Sequence, residues 1–399
     1  MAPDGQQMDE TAERRTVNGD ASMATAPQTK ILHIGAGVRT QTLYLPVFRE
    51  LQQRGVLQIV GVATRNAERQ TAVRAAGFPV VEDWRAALQA GGVDAVTVVV
   101  PPAQMADILT ELLDYRRPLL HETPLGRPVG KATALIKKIR AAGILVATAE
   151  QQVFYPEEQL KRQIIASGQL GKVIAADNHH HTFAYHGVAK LRRYFPNSRL
   201  IALRAWTMPQ PDGTQATQTN FKFQNDQHAT MLFGPSSKNL PRRSPLRSLN
   251  IEAEGGGIFG DTVFLREGAT FDEFHFLRRG LQGDLQRLEC ENGARVLSAW
   301  DNPYAGAKFS DDEIGLAVIL ERFCAAARGE GQSAYSAEEH YLDLLATQAM
   351  ELSRRCSGLR LRLSPEQPRL ATVISILTDA SIRQLWLLAK WGLKKIVRR

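Results

Sequence analysis

Cysteine is scarce in this 399-residue chain, and the three it has, Cys290, Cys324 and Cys356, are widely spaced. That excludes a disulfide framework and a paired-cysteine zinc motif, and it fits a reducing compartment, the cytoplasm. Residues 1–28 mix acids, bases, glycine and hydroxyl side chains without an apolar run, so they read as a disordered tail and not as a signal peptide. An internal repeat is missing too. Residues 380–399 hold no acid, while Arg383, Lys390, Lys394, Lys395, Arg398 and Arg399 supply most of the chain's net charge of +8. The body is therefore nearly neutral and has no broad basic face for nucleic acid. What remains is an ordinary globular composition, 44% hydrophobic and 23% charged, long enough for two domains.

One stretch organises the chain. The β-branched-rich run Lys30-Ile31-Leu32-His33-Ile34 leads into Gly35-Ala36-Gly37-Val38-Arg39-Thr40, and a helical pattern follows through Tyr44, Leu45, Val47, Phe48 and Leu51. Strand, glycine turn and helix in this order suit a dinucleotide. The first glycine permits the tight turn, the second lets the backbone approach a pyrophosphate, and the helix N-terminus offers N–H groups and a positive dipole end. Thr40 stands where a third glycine is usual. Two glycines in a turn are common, so the context must carry the reading.

The context alternates. Apolar strands over 57–65, 79–81, 95–100, 118–122 and 144–148 are separated by helical patterns, among them 84–88, 105–115 and 130–142. Continuous apolar strands between helices predict a doubly wound parallel sheet, a Rossmann-type dinucleotide-binding domain over 29–150. After Gln151 the style changes. A helix at 156–166 gives way to polar-alternating segments at 173–183, 200–208, 220–223, 229–233, 248–254 and 257–265. These predict a second α/β domain over 151–365 with a large, mainly antiparallel sheet, closed by helices at 312–328 and 337–354 and a strand at 359–363. Residues 236–247, with Pro241, Pro245 and four basic side chains, read as an exposed loop.

From Lys30 to Leu363 the chain resembles the glucose–fructose oxidoreductase / inositol dehydrogenase / MocA family of NAD(P)-dependent oxidoreductases. The resemblance rests on the glycine turn with Leu45-Pro46 downstream, on Val100-Pro101-Pro102 in place of a Thr-Pro, and on His121-Glu122-Thr123-Pro124-Leu125 in place of a Glu-Lys-Pro stretch. It continues through Glu150-Gln151-Gln152-Val153-Phe154-Tyr155-Pro156, Ile165–Val173, and Phe323–Arg328 followed by Ala337-Glu338-Glu339. It implies a cofactor held by Gly35, Gly37, Val38, Arg39, Thr40, Pro101, Glu122 and Gln151. Two departures stand out: the family's proton-relaying lysine is Thr123 here, and the aspartate one helical turn before its histidine is Thr182. Met105 replaces a histidine common after the fourth strand.

Thr64-Arg65 ends the second strand, where NAD users carry a ribose-binding acid. A hydroxyl and a guanidinium accept a 2′-phosphate that a carboxylate would repel, so NADP is expected, with NAD the alternative. His186, just before a helix expected over 188–194, matches the family's histidine and can give or take a proton near neutral pH. Tyr185 and Thr123 complete the candidate catalytic set. On a strand, Asp177, His179 and His181 would share one face. They are read as lining a cleft or a subunit face; no metal site is expected.

In the basic segment 366–399, Ile382, Leu385, Trp386, Ala389, Leu393 and Ile396 form an apolar stripe. It is too polar to span a bilayer, because Asp379, Arg383 and Lys390 interrupt it. Docking on protein and peripheral contact with an anionic membrane surface both stay open. The expected function is hydride transfer between NADP(H) and a small organic substrate, a sugar, polyol or related carbonyl or imine compound, in a homo-oligomer. A cofactor-binding regulator or scaffold without catalysis is the alternative, since the family includes a transcriptional corepressor of galactose metabolism. A membrane-surface subunit of a biosynthetic complex is the third reading.

Overall fold

The computed structural model describes residues 27–210, 213–234 and 249–363. Residues 1–26 of the expected tail, the loop expected at 236–247 and the segment 366–399 lie outside them.

The first sheet is built from β1 (Thr29–Ile34), β2 (Leu57–Ala63), β3 (Val80–Val81), β4 (Ala95–Val98), β5 (Leu119–Glu122) and β6 (Val146–Ala149). Its strands are parallel in the order β3-β2-β1-β4-β5-β6. The connections are helical: α1 (Leu45–Gln53), α2 (Ala67–Ala75), α3 (Trp84–Gln89), α4 (Pro102–Leu112) and α5 (Val129–Ala142). Every residue of β4, β5 and β6 is buried, as strands covered by helices on both faces require. The strand order reverses beside β1, the position where open α/β sheets bind ligands at their C-terminal edge.

From α6 (Pro156–Ala166) the chain enters the second sheet, with β7 (Val173–His180) before α7 (Ala184–Arg193). Then come β8 (Leu200–Pro209), β9 (Gln215–Phe223), β10 (His228–Phe233), β11 (Leu249–Ala253), β12 (Gly256–Phe259) and β13 (Thr262–Glu267). The long strands β14 (Thr270–Leu281), β15 (Asp284–Glu291) and β16 (Val296–Asp301) precede α8 (Asp311–Ala327), α9 (Ala337–Arg355) and β17 (Leu361–Arg362). The eleven strands run β16-β15-β14-β13-β12-β11-β7-β10-β9-β8-β17. They pair antiparallel except β7 with β10. α6, α7 and α9 pack on this sheet, while α8 also touches α1 and β6 and so ties the two halves together. Serine capping boxes start both closing helices, Ser310 with Glu313 and Ser336 with Glu339.

Several local expectations need correction. The segment 257–265 is two strands, β12 and β13, joined through Gly260–Asp261. β14, β15 and β16 were not expected: β14 buries only Phe274 fully, so its sequence shows almost no alternation. β7 ends at His180, which leaves His181 off the strand and breaks the shared face with Asp177 and His179. The helix after it starts at Ala184, not at 188, so His186 lies in its first turn. Met105 is fully buried in α4 and packs as core.

Candidate active site

The glycine turn has the geometry its sequence demands. Gly35 sits at φ +109°, and a Cβ there would lie 2.0 Å from the Val99 carbonyl oxygen, so no other residue fits. A Cβ at Gly37 would meet nothing within 4 Å, which leaves open space against the backbone where a pyrophosphate would approach. Thr40 replaces the third glycine and turns inward. Its Oγ1 donates to the Gly35 carbonyl (3.1 Å) and lies 3.1 Å from His33 Nε2, while His33 Nδ1 is 2.7 Å from Thr97. Burial pushes His33 down to about 3, so this brace stays neutral. A π-helical turn over Thr40–Tyr44 then runs into α1.

Around the turn stand the other strand ends. Thr64 and the exposed Arg65 follow β2, and exposed Pro101 caps α4 after β4. Glu122 ends β5, where its Oε1 accepts from Arg39 Nε at 2.8 Å and its Oε2 accepts from the Thr123 amide at 2.9 Å. Burial opposes charge on Arg39, but Glu122, with smaller contributions from Tyr44 and Asp312, outweighs it and holds the guanidinium above its ordinary value. Gln151, just past β6, donates its amide to the Ala149 carbonyl (2.8 Å) and accepts from Arg39 Nη2. Arg39 thus bridges the glycine turn to the ends of β5 and β6.

The catalytic candidates meet one step further on. Tyr185 interacts with the Thr123 side chain, which lowers its phenol pKa, but burial outweighs this and pushes it up to about 12. The Tyr185 and His186 rings lie 4.4 Å apart. His186 Nδ1 faces both oxygens of Glu150, at 2.6 and 2.7 Å. Exposed Phe183 stacks on Tyr185 at 5.5 Å, with the Arg127 guanidinium 5.6 Å over its outer ring, forming an aromatic rim. Behind Tyr185, edge-on at 5.3 Å, His340 is fully buried with neither ring nitrogen partnered among the described residues. Its neighbour His121 bonds Thr148 and the Glu122 carbonyl, and burial pushes it down to about 4.

The structure therefore joins Arg39, Glu122, Thr123, Tyr185, His186 and Gln151 in one chain of contacts. It sets Gly35, Gly37, Val38, Thr40, Thr64, Arg65 and Pro101 along the same sheet edge. Thr182 bonds His180 Nε2 at 2.8 Å, not His186. Asp177 and His179 pair with each other at 3.2 Å, and no three metal-ligating side chains converge among the described residues. Sequence reasoning missed Glu150 and His33 as parts of the candidate site. The signal for Glu150 was present: an acid directly after the wholly buried β6 needs a partner.

A parallel sheet of order 3-2-1-4-5-6 with a glycine turn on its first strand defines a dinucleotide-binding domain, set here against a large open sheet. Residues 29–150 match the model of the Gfo/Idh/MocA oxidoreductase family, NAD-binding Rossmann fold. No curated protein matches the chain. Among solved structures it is similar to levoglucosan dehydrogenase in complex with NADH and levoglucosan, at 15% identity and TM-score 0.65, covering 85% of this chain and 100% of that one. It is also similar to an oxidoreductase from Agrobacterium radiobacter in complex with NAD+, L-tartaric acid and magnesium, at 12% identity and TM-score 0.66, covering 84% and 98%. An NAD binding oxidoreductase from Klebsiella pneumoniae matches at 12% identity and TM-score 0.65, covering 85% and 100%. At these identities the likeness is one of fold. Among the described residues no helix is long and apolar enough to cross a membrane.

Proposed function

We propose that the protein transfers hydride between NADP(H) and a small organic substrate, a sugar, polyol or related carbonyl or imine compound, held between the two domains. The buried His186–Glu150 pair, next in the chain to Tyr185, supports this reading, because it would supply a proton carrier in a chain that lacks the family's lysine. The open space at Gly37 and the inward-turned Thr40 fit a dinucleotide. When bound, the nicotinamide donates or accepts the hydride.

The protein groups do the rest. The Glu150 carboxylate can only accept, so His186 Nδ1 keeps its proton and donates to it, which makes Nε2 the nitrogen that exchanges one. In reduction, the imidazolium formed by protonation at Nε2 delivers its proton to the developing alkoxide or amine; in oxidation, neutral Nε2 receives it. Tyr185 cannot ionise near neutral pH, so with Thr123 it positions the substrate oxygen or nitrogen by hydrogen bonding. Arg65 would pair with the 2′-phosphate and so select NADP(H) over NAD(H).

Homo-oligomer formation, a cytoplasmic location and peripheral membrane contact through residues 366–399 belong to the same proposal. Thr123 and Thr182, which stand where the family carries a lysine and an aspartate, favour a second reading: a cofactor-binding regulator without catalysis. NADPH consumption against a panel of sugars, carbonyls and imines separates the two. Turnover of any member supports the enzyme, and tight NADPH binding with none supports the regulator.

A further inference from the structure

A cavity of about 1140 Å3 opens at the C-terminal end of α7, between α5, α6 and α9, and none of the candidate active-site residues lines it. Its floor is Phe154, a buried ring on which three cations from three helices converge. Arg162 of α6, Arg193 of α7 and Arg322 of α8 bring their guanidinium carbons to 5.7, 5.8 and 5.6 Å from the ring centroid. All three line the cavity.

Their own chain leaves this charge mostly unbalanced. Arg162 donates to the Val153 carbonyl at 2.6 Å, an uncharged partner. Arg322 has no ion pair among the described residues, and it is exposed. Arg193 reaches Glu339 only at 3.4 Å, and that carboxylate, the one acid among the lining residues, is committed to capping α9 through Ser336. Two further lining arginines are already paired, Arg140 with Glu338 and Arg192 with Asp343. Burial lowers the Arg162 pKa; Tyr194 and Glu158 oppose the shift, and the neighbouring Arg193 and Arg322 charges add to it. Assembling like charges from three separate helices is unfavourable unless an anion joins them. Ile165, Leu200 and Leu345 supply apolar wall.

We propose that this cavity binds a phosphorylated small molecule, with its phosphoryl group among Arg162, Arg193 and Arg322 and its body against the apolar wall. Planar guanidinium forks match phosphate oxygens, and three of them suit a doubly charged group with three free oxygens better than a carboxylate with two. The volume accommodates an organic ligand, for which about 300–1000 Å3 is usual. This assignment stands apart from hydride transfer and does not need it.

The test uses pyrophosphate as probe, titrated calorimetrically into the full-length protein saturated with NADPH and, separately, into the Arg65→Ala variant. Saturation with NADPH occupies the proposed cofactor phosphate positions, the glycine turn included, and Arg65→Ala checks the 2′-phosphate position separately. Binding should persist in each and weaken at least tenfold in Arg322→Gln, whose exposed side chain can be replaced without disturbing the core, and again in Arg193→Gln. Displacement of pyrophosphate by phosphatidic acid vesicles, but not by phosphatidylcholine, assigns the phosphoryl group to a lipid; no displacement assigns it to a soluble ligand, and both keep the site. Absence of pyrophosphate binding, or unchanged affinity in Arg322→Gln and Arg193→Gln, overturns the proposal.

Discussion

His186 Nδ1 lies between the two oxygens of Glu150, 2.6 Å from one and 2.7 Å from the other, and the two side chains are 7% and 0% exposed. A carboxylate so deeply buried is stable only with this partner, so the pair stands or falls together. His186→Ala should therefore destabilise the protein by roughly 1–3 kcal/mol through the unpaired acid. Adding Glu150→Gln should recover much of that stability and none of the activity. Chemical denaturation of the two variants, with turnover measured alongside, checks the split.

The glycine turn yields a contrasting pair. Gly35→Ala forces a Cβ onto the Val99 carbonyl at a positive φ and should lower stability as well as abolish cofactor binding. Gly37→Ala meets nothing in the protein and should melt almost as the parent does, yet lose NADPH affinity. Thermal melting and NADPH fluorescence titration on both variants check this.

In the proposed reading, cofactor choice rests on Arg65. NADPH should bind more tightly than NADH, and Arg65→Ala should remove most of the difference, since a charged hydrogen bond is worth about 1.5–3 kcal/mol, or roughly tenfold to a hundredfold. Equal affinities in the unmodified protein would refute it.

Acid sensitivity should trace in part to Glu158. Burial alone would raise its pKa, but Lys190 at 3.2 Å, Lys161 and the Tyr194 hydroxyl at 2.6 Å hold it down to about 2. A depressed carboxylate stabilises fully above its unfolded value of 4.5 and loses that contribution as pH falls toward 2. Against Glu158→Gln, the parent should be more stable by up to roughly 3 kcal/mol above pH 4.5, with the gap closing below it. Melting temperatures of both proteins across that range decide it.

The parallel half of the fold was legible because its strands are buried on both faces and read as continuous apolar runs, β4 most plainly. The antiparallel half was legible only where one face is buried. β14 hides because its residues are largely exposed or half-buried on both faces. In the site, the glycine turn, Glu122, Tyr185 and His186 were readable from local pattern and family resemblance. For Glu150 the need for a partner was legible but the partner was not, because His186, thirty-six positions later, is swung onto it by a helix that begins four residues earlier than its pattern suggests. His33 was hidden for the same reason: Thr97, its partner, comes from a different strand.

Proton transfer by His186 is best tested by measuring kcat for NADPH oxidation with the best substrate of the panel, and the NADPH dissociation constant, in the parent and in His186→Ala. A positioned acid contributes roughly 10²–10⁴-fold, so kcat should fall by at least a hundredfold while NADPH affinity stays nearly unchanged. Full turnover in His186→Ala would contradict the proposed role.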